Sequence, residues 1–159
     1  MRASRRWRRG KLSEATATVM MVFILGCGRL GAQLAMDLDA KGHRVTVLDR
    51  SNDSFRRLGG GFRGRKVHGD GLDLDVLLDA GLADADVFVA CTNGDNRNLT
   101  ASQYAREIFA VPKVISRVSD PLRGEIYGEM GLQTISPTVI GAQLLYDTLT
   151  GRTPSADCI

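Results

Sequence analysis

The stretch Val22–Gly31, VFILGCGRLG, runs four apolar residues into three glycines spaced G-x-G-x-x-G, with an arginine set among them. A short apolar run followed by such glycines reads as a buried strand, a tight turn and the first turn of a helix. Gly26 allows the turn, Gly28 lets backbone approach a phosphate, and Gly31 lets helix and strand pack closely. Backbone amides at the helix start, with the helix dipole behind them, then face an anion. Glycines mark many turns, so a tight βα turn with a vestigial site is the competing reading. Arg29 and Leu30 open the helical turn and are counted with the phosphate-binding residues.

Outward from this stretch, apolar runs recur between helical patterns: Val22–Leu25, Val45–Leu48, Lys66–His68, Val87–Cys91, Val114–Val118 and Gln133–Ile135. That alternation predicts successive βαβ units in one domain, a Rossmann-like doubly wound parallel α/β sheet of about six strands. Leu30, Leu34 and Leu38 form a stripe expected to face the sheet, in a helix that ends at Gly42. A polar second helix follows Asp49 and breaks at Gly59–Gly61. The third starts at Asp73 and Asp75 and closes at Gly81, the fourth runs from about Asp95 to Phe109, and Pro112 resets the chain for the fifth strand. The last begins at Ser136-Pro137 and carries an apolar face of Val139, Ile140, Leu144 and Leu145.

The 159 residues suffice for one domain with a core, and 43% hydrophobic with 25% charged residues is ordinary for a globular protein. No apolar run approaches the ~18 residues that span a bilayer. The net charge of +3 is unevenly placed. Six basic residues against Glu14 leave the first 19 at +5, so the remainder stands at −2 and lacks the footprint of a nucleic-acid binder. Residues 1–20 are expected to be a basic disordered extension, 21–150 the nucleotide-binding domain, and 151–159 a fraying tail. The basic start reads as an arm carrying Trp7, as a weak targeting or acidic-surface contact, or as upstream sequence included by a mistaken start. Met20-Met21, directly before the first strand, favours the last. Cys27, Cys91 and Cys158 match neither a disulfide framework nor a zinc spacing, which suits a cytoplasmic protein.

The remaining candidates cluster where strands end. Asp49 closes the second strand, where a carboxylate accepts hydrogen bonds from ribose hydroxyls and repels a 2′-phosphate. Arg50 beside it weakens that preference for NAD over NADP, and the alternative for Asp49 is a turn residue capping the next helix. Asp70, just past the third strand, is placed to meet the adenine amino group or to serve only as a turn residue. His68 reads as part of its strand. After the fourth strand, Thr92 and Asn93 are placed to line a ligand and Asp95 to cap the following helix. Arg29, and Arg117 at the end of the fifth strand, reach phosphate oxygens from the same edge. Two guanidiniums beyond the helix amides suit ATP or ADP better than NAD(H); solvated or ion-paired arginines are the alternative.

A dehydrogenase needs a second region that presents an acid or base to the transferring hydride. None is evident, so no catalytic or metal-ligating residue is assigned and binding without chemistry leads. A small NAD-dependent oxidoreductase, or the cofactor half of one, is the alternative; a decayed fragment is a third.

The ordered set GCGRLG, VLDR, HGDGLDLDVLLDAGLADADVFVACTNGDNRN, VISRVSDP and GLQTISPT resembles the regulator of potassium conductance family, also called the KTN or TrkA-N domain, over about Met21–Leu149. The resemblance implies a cytoplasmic regulatory subunit, bound to the inner face of the membrane through an integral-membrane potassium transporter of the Trk/Ktr type. It implies NAD(H) or ATP/ADP as effector and a homodimer or larger ring, with the last helix a candidate for packing between subunits or against its own sheet. By motif, Gly26, Gly28 and Gly31 meet the diphosphate, Asp49 the ribose, Asp70 the adenine side, and Arg29 and Arg117 the phosphates. Two departures stand out: the chain stops where family members continue into a smaller C-terminal domain, and TNGDNRN is less acidic than the family's usual loop.

Overall fold

The structure is a computed structural model whose described residues are 18–152. The readings made above for the basic start up to residue 17 and for the tail from 153, Cys158 included, lie outside the described residues.

Six strands form one parallel sheet: β1 (Met21–Leu25), β2 (Arg44–Asp49), β3 (Arg65–His68), β4 (Val87–Ala90), β5 (Lys113–Arg117) and β6 (Gln133–Ile135), in the order β3-β2-β1-β4-β5-β6. The chain therefore winds outward from β1 in one direction and, after β3, returns to β4 and winds in the other. The two halves diverge between β1 and β4, and that crevice at the carboxyl ends is where such sheets bind ligands.

The period-2 alternation of side chains builds two core layers. From β1, Phe23 and Leu25 enter one layer with Leu48, Phe88 and Leu99, while Val22 and Ile24 enter the other with Val45, Val47 and Val89. Phe23 and Phe88 stand in register on neighbouring strands and stack with ring centroids 5.9 Å apart.

The helices are α1 (Arg29–Ala40), α2 (Leu74–Asp79), α3 (Asp95–Gln103), α4 (Pro121–Glu129) and α5 (Pro137–Leu149), and Asn52–Leu58 forms a 3-10 helix after β2. The predicted leucine stripe of α1 needs correction at Leu30. Leu34 and Leu38 are half-buried and pack against the core as expected, but Leu30 is 43% exposed, and Gly31, Ala32 and Ala35 are the fully buried residues nearest the sheet. The cause is close packing: a Cβ on Gly31 would lie 2.0 Å from the Gly26 carbonyl oxygen, so only small residues fit where α1 begins. The fourth expected helix divides, with α3 passing into one π-helical turn at Tyr104–Ile108. Between β5 and β6 lies α4, which is not among the helices read from the sequence. Its N-cap, Asp120, accepts a hydrogen bond from the Leu122 amide at 3.0 Å, and Pro121 follows it.

The apolar face of α5 does not enter the core. Val139 is 48% exposed and Leu145 68%, and Asp147 is the buried residue of that helix. Leu122 and Ile126 of α4 and Met130, its C-cap, are exposed as well.

Candidate functional site

The carboxyl ends of β1, β2, β4 and β5 surround an open cleft of about 830 Å³ whose lining includes Gly26, Gly28, Arg29, Leu30, Asp49, Arg50, Thr92 and Arg117. Eight of the ten predicted site residues thus come together. Gly31 lies beneath the loop, against the Gly26 carbonyl, and Asp70 is an exposed rim residue whose neighbour Gly71 lines the cleft. The Asp70 Oδ1 accepts from the Leu72 amide at 3.0 Å, the geometry of a turn aspartate.

The glycine loop is fastened from below. The Gly26 amide donates to the Leu48 carbonyl at 2.8 Å, and the Cys27 amide donates to the Asp49 Oδ2 at 2.7 Å. Gly26 has φ +103°, and an added Cβ would lie 2.9 Å from the Thr92 nitrogen, so a side chain is excluded twice over. A Cβ on Gly28, by contrast, would meet nothing within 4 Å. Gly28 is also the N-cap of α1 and no side chain caps that helix, whose first internal bond is Ala32 N–H to Gly28 C=O at 2.9 Å. The amides of Arg29 and Leu30 have no partner within the helix and border the cleft.

Asp49 is engaged within the fold itself. Its Oδ2 takes the Cys27 amide, and its Oδ1 takes the Ser51 amide at 2.8 Å. The carboxylate therefore clamps the glycine loop to the end of β2, and each oxygen keeps a second lone pair for a ligand. His68 is in its strand, with Nε2 3.0 Å from the Arg50 carbonyl.

On the other side of the switch point, fully buried Asn98 joins two strand ends. Its Oδ1 accepts from the Thr92 amide at 3.0 Å and hydroxyl at 2.6 Å, and its Nδ2 donates to the Thr92 and Arg117 carbonyls, each at 2.9 Å. Arg117 Nη1 donates to the Thr92 carbonyl at 3.0 Å. Asp95 does not cap its own helix as expected. Gly94 is the N-cap, and Asp95 reaches across to accept the amides of Ser119 at 2.8 Å and Asp120 at 3.1 Å. Burial alone would raise the Asp95 carboxyl, but those amides, the Ser119 hydroxyl and the Arg123 charge outweigh it and hold it below its usual value.

One thiol, Cys27, lies within the loop, and another, Cys91, follows β4. Burial pushes Cys91 up to about 11 against the nearby Arg117 charge, and burial followed by the Asp49 charge raises Cys27, so both remain protonated at neutral pH. Among the described residues no group of His, Cys, Asp or Glu is arranged to hold a metal ion, and no helix is long and apolar enough to cross a membrane.

The charge balance of the cleft is lopsided. Arg57 and Arg97 join Arg29, Arg50 and Arg117 in its lining, against the single carboxylate of Asp49. A region that is acidic by composition thus concentrates five guanidiniums at one edge. Sequence reasoning passed over Arg57 and Arg97; the readable signal for Arg97 was its place in the first turn after the fourth strand, beside Thr92. A second cleft, of about 570 Å³, opens at the amino edge beside His43, Arg44 and Arg65, away from the glycine loop.

Fold and cleft together define a Rossmann-type domain with an arginine-lined cleft at the carboxyl edge of its sheet. The chain belongs to the TrkA-N domain family, whose model matches residues 22–137. It is 47% identical over 117 residues to the Trk system potassium uptake protein TrkA of Streptomyces coelicolor, covering 74% of this chain and 52% of that protein. It therefore spans about half the length of that curated relative.

Among solved structures, the Shewanella denitrificans Kef CTD in AMP-bound form matches with a TM-score of 0.69 at 23% identity, over 84% of this chain and 83% of that one. The structure of GsuK bound to ADP matches with a TM-score of 0.70 at 24% identity, over 82% of this chain and 34% of that one. At these identities both matches establish the shared fold.

Proposed function

We propose that this chain is a nucleotide-responsive regulatory domain of a potassium uptake system, acting at the inner face of the membrane through an integral-membrane transporter subunit. The observation that carries this is the carboxyl-edge cleft, where an uncapped helix start and five arginines face a single carboxylate. The relative named for potassium uptake and the AMP- and ADP-bound structures of the same fold support it.

The ligand is NAD(H) or ATP/ADP, held as an effector. Gly26, Gly28 and Gly31 shape the diphosphate seat, with the amides of Arg29 and Leu30 turned to it. Asp49 takes the ribose hydroxyls on its free lone pairs, Asp70 at the rim serves the adenine side, and Arg29, Arg50 and Arg117 balance phosphate charge near Thr92. Such a ligand shifts the domain only by binding one of its states more tightly than another. The exposed apolar face shared by α4 and α5 is assigned to a second copy of the chain, a homodimer or a unit of a larger ring. Light scattering of the purified chain tests that assignment, and a monomer at micromolar concentration counts against it.

Thermal unfolding of the full chain with ATP, ADP, NAD, NADH and NADP tests the nucleotide reading. At 100 times its dissociation constant, a ligand stabilises the native state by about 2.7 kcal/mol, which is roughly 5–10 °C in melting temperature here. No shift with any of the five defeats the reading.

A further inference from the structure

Helix α4 is fastened to the rest of the domain chiefly by polar ties. None of its residues is buried, and Tyr127 packs only partly against the core. Its middle is held where the Thr134 hydroxyl of β6 donates to the Gly124 carbonyl at 3.1 Å. Its start is held from the first turn of α3: Asp95 accepts the Ser119 and Asp120 amides, and Arg123 Nη1 donates to the Asn96 Oδ1 at 2.7 Å. An element with so little buried apolar surface opens locally at low cost.

The loop that Asp95 grips is the common root of two helices. Asp120 is the N-cap of α4. The Ser119 carbonyl accepts from the hydroxyl of Ser136, the N-cap of α5, at 3.5 Å, beside a bond from the Val118 amide to the Ile135 carbonyl at 3.0 Å. Both helices carry exposed apolar residues. On its other side Asp95 follows a turn that faces the cleft. Thr92, in the cleft lining, accepts the Gly94 amide on its hydroxyl at 3.2 Å and donates that hydroxyl to the Asn98 Oδ1. One carboxylate, with both oxygens spent outside its own helix, thus joins a cleft-lining turn to the root of the apolar face.

We propose that Asp95 is a positioning residue that couples the cleft to α4. This rests on the nucleotide reading above and names the regulation of that site. A nucleotide held against the turn 92–94 restrains it, keeps the Asp95 carboxylate on the Ser119 and Asp120 amides, and so suppresses the local opening of α4. The docked state of α4 in return binds nucleotide more tightly than the open state by the same factor. The element with two states is α4, docked or open, and Asp95 is the tie through which the cleft biases it.

The test is amide hydrogen exchange of the full chain, read by mass spectrometry, with and without whichever of ADP, ATP and NADH binds tightest by calorimetry. It compares the unaltered protein with Asp95→Asn, which replaces one acceptor oxygen by a donor, and with Asn96→Ala, which breaks only the neighbouring tie to Arg123. In the unaltered protein the nucleotide should slow exchange over residues 119–130 about fivefold or more. Asp95→Asn should lose most of that slowing, keep the slowing at the glycine loop 26–31, and change nucleotide affinity less than about threefold. Asn96→Ala should keep the response at 119–130. Should Asp95→Asn not fold, Asp95→Ser takes its place. An undiminished response in the Asp95 variant, its loss in Asn96→Ala alone, or an affinity loss above about tenfold in the Asp95 variant overturns the coupling. An unaltered protein that binds a nucleotide without slowing exchange at 119–130 sinks the coupling and leaves the nucleotide site standing; one that binds none of the three defeats the nucleotide reading itself.

Discussion

Gly31 and Gly28 sit three residues apart in one loop and should fail in opposite ways when each is replaced by alanine. At Gly31 the added Cβ would lie 2.0 Å from the Gly26 oxygen, 3.1 Å from the Gly26 carbon and 3.4 Å from the Cys91 Cβ. An ordinary C···O contact is more than an ångström longer than the first of these, and both obstructing atoms of Gly26 are backbone. Relief requires α1 to move off the sheet, away from the contacts of Ala32 and Ala35. Overpacking of this kind costs about 1–3 kcal/mol and occasionally more, and a backbone obstacle places Gly31→Ala at or above about 3 kcal/mol. The melting temperature should fall by roughly 6–12 °C.

At Gly28 the Cβ meets nothing within 4 Å and φ is −74°, so alanine fits the backbone. Loss of a tolerable N-cap residue and the lower entropy of the unfolded chain nearly offset each other, leaving stability within about 1 kcal/mol. That methyl instead occupies the approach to the first-turn amides, so nucleotide affinity should drop at least tenfold. Calorimetric melting together with ligand titration reads both quantities. A Gly31→Ala protein that melts like the unaltered chain, or a Gly28→Ala protein that binds nucleotide normally, would refute the division of labour drawn here.

Asn98→Ala removes four hydrogen bonds from a fully buried network and strips the Thr92 amide and Arg117 carbonyl of partners, at a cost of about 3 kcal/mol. A urea midpoint that implies a loss below about 1 kcal/mol rules out the clamp described for it. Asp95, lowered in the folded state, contributes stability that is full above its unfolded value near 3.8 and disappears as pH falls through the lower folded value. Asp95→Asn should therefore lower stability near neutrality and flatten the acid limb of the melting-temperature profile below about pH 4; superimposable limbs would exonerate Asp95. Under the proposed pairing of two copies through α4 and α5, Leu145, 68% exposed, is buried against the second copy, so Leu145→Glu should halve the mass seen by light scattering and leave the fold intact. An unchanged mass with the variant puts the interface elsewhere.

The strands were legible because a parallel sheet buried on both faces imposes near-continuous apolar runs, and Val22–Leu25 and Val45–Leu48 are such runs. The glycine loop was legible because its steric demands admit one residue type at Gly26 and Gly31. What escaped has physical reasons too. The short α4 carries Leu122, Ile126 and Met130 at helical spacing, but buries none of its own residues, and its two glycines, Gly124 and Gly128, blur the pattern, so Asp120-Pro121 is its clearest announcement. Leu30 looked like core, but α1 lies too near the sheet for a leucine there, a fact held by the Gly26–Gly31 approach and not by the apolar pattern. Asp95 resembled a cap because capping is a local affair, whereas its partners Ser119 and Asp120 arrive from another crossover. Asn98 and Arg97 lie in the same polar loop-and-turn, and telling the buried amide from the cleft-lining guanidinium required the positions of β4 and β5.

Pro137, the first residue of α5, also borders the cleft. Its helix is a rod about 20 Å long, anchored at one end beside the cleft and apolar along much of its length. A tilt of about 10° imposed where the phosphates sit would sweep the far end, around Leu149, through about 3.5 Å. A ligand that bound as proposed and tilted the helix by that much would thereby enlarge a small adjustment at the cleft into a displacement on the scale of a side chain at the distal turns.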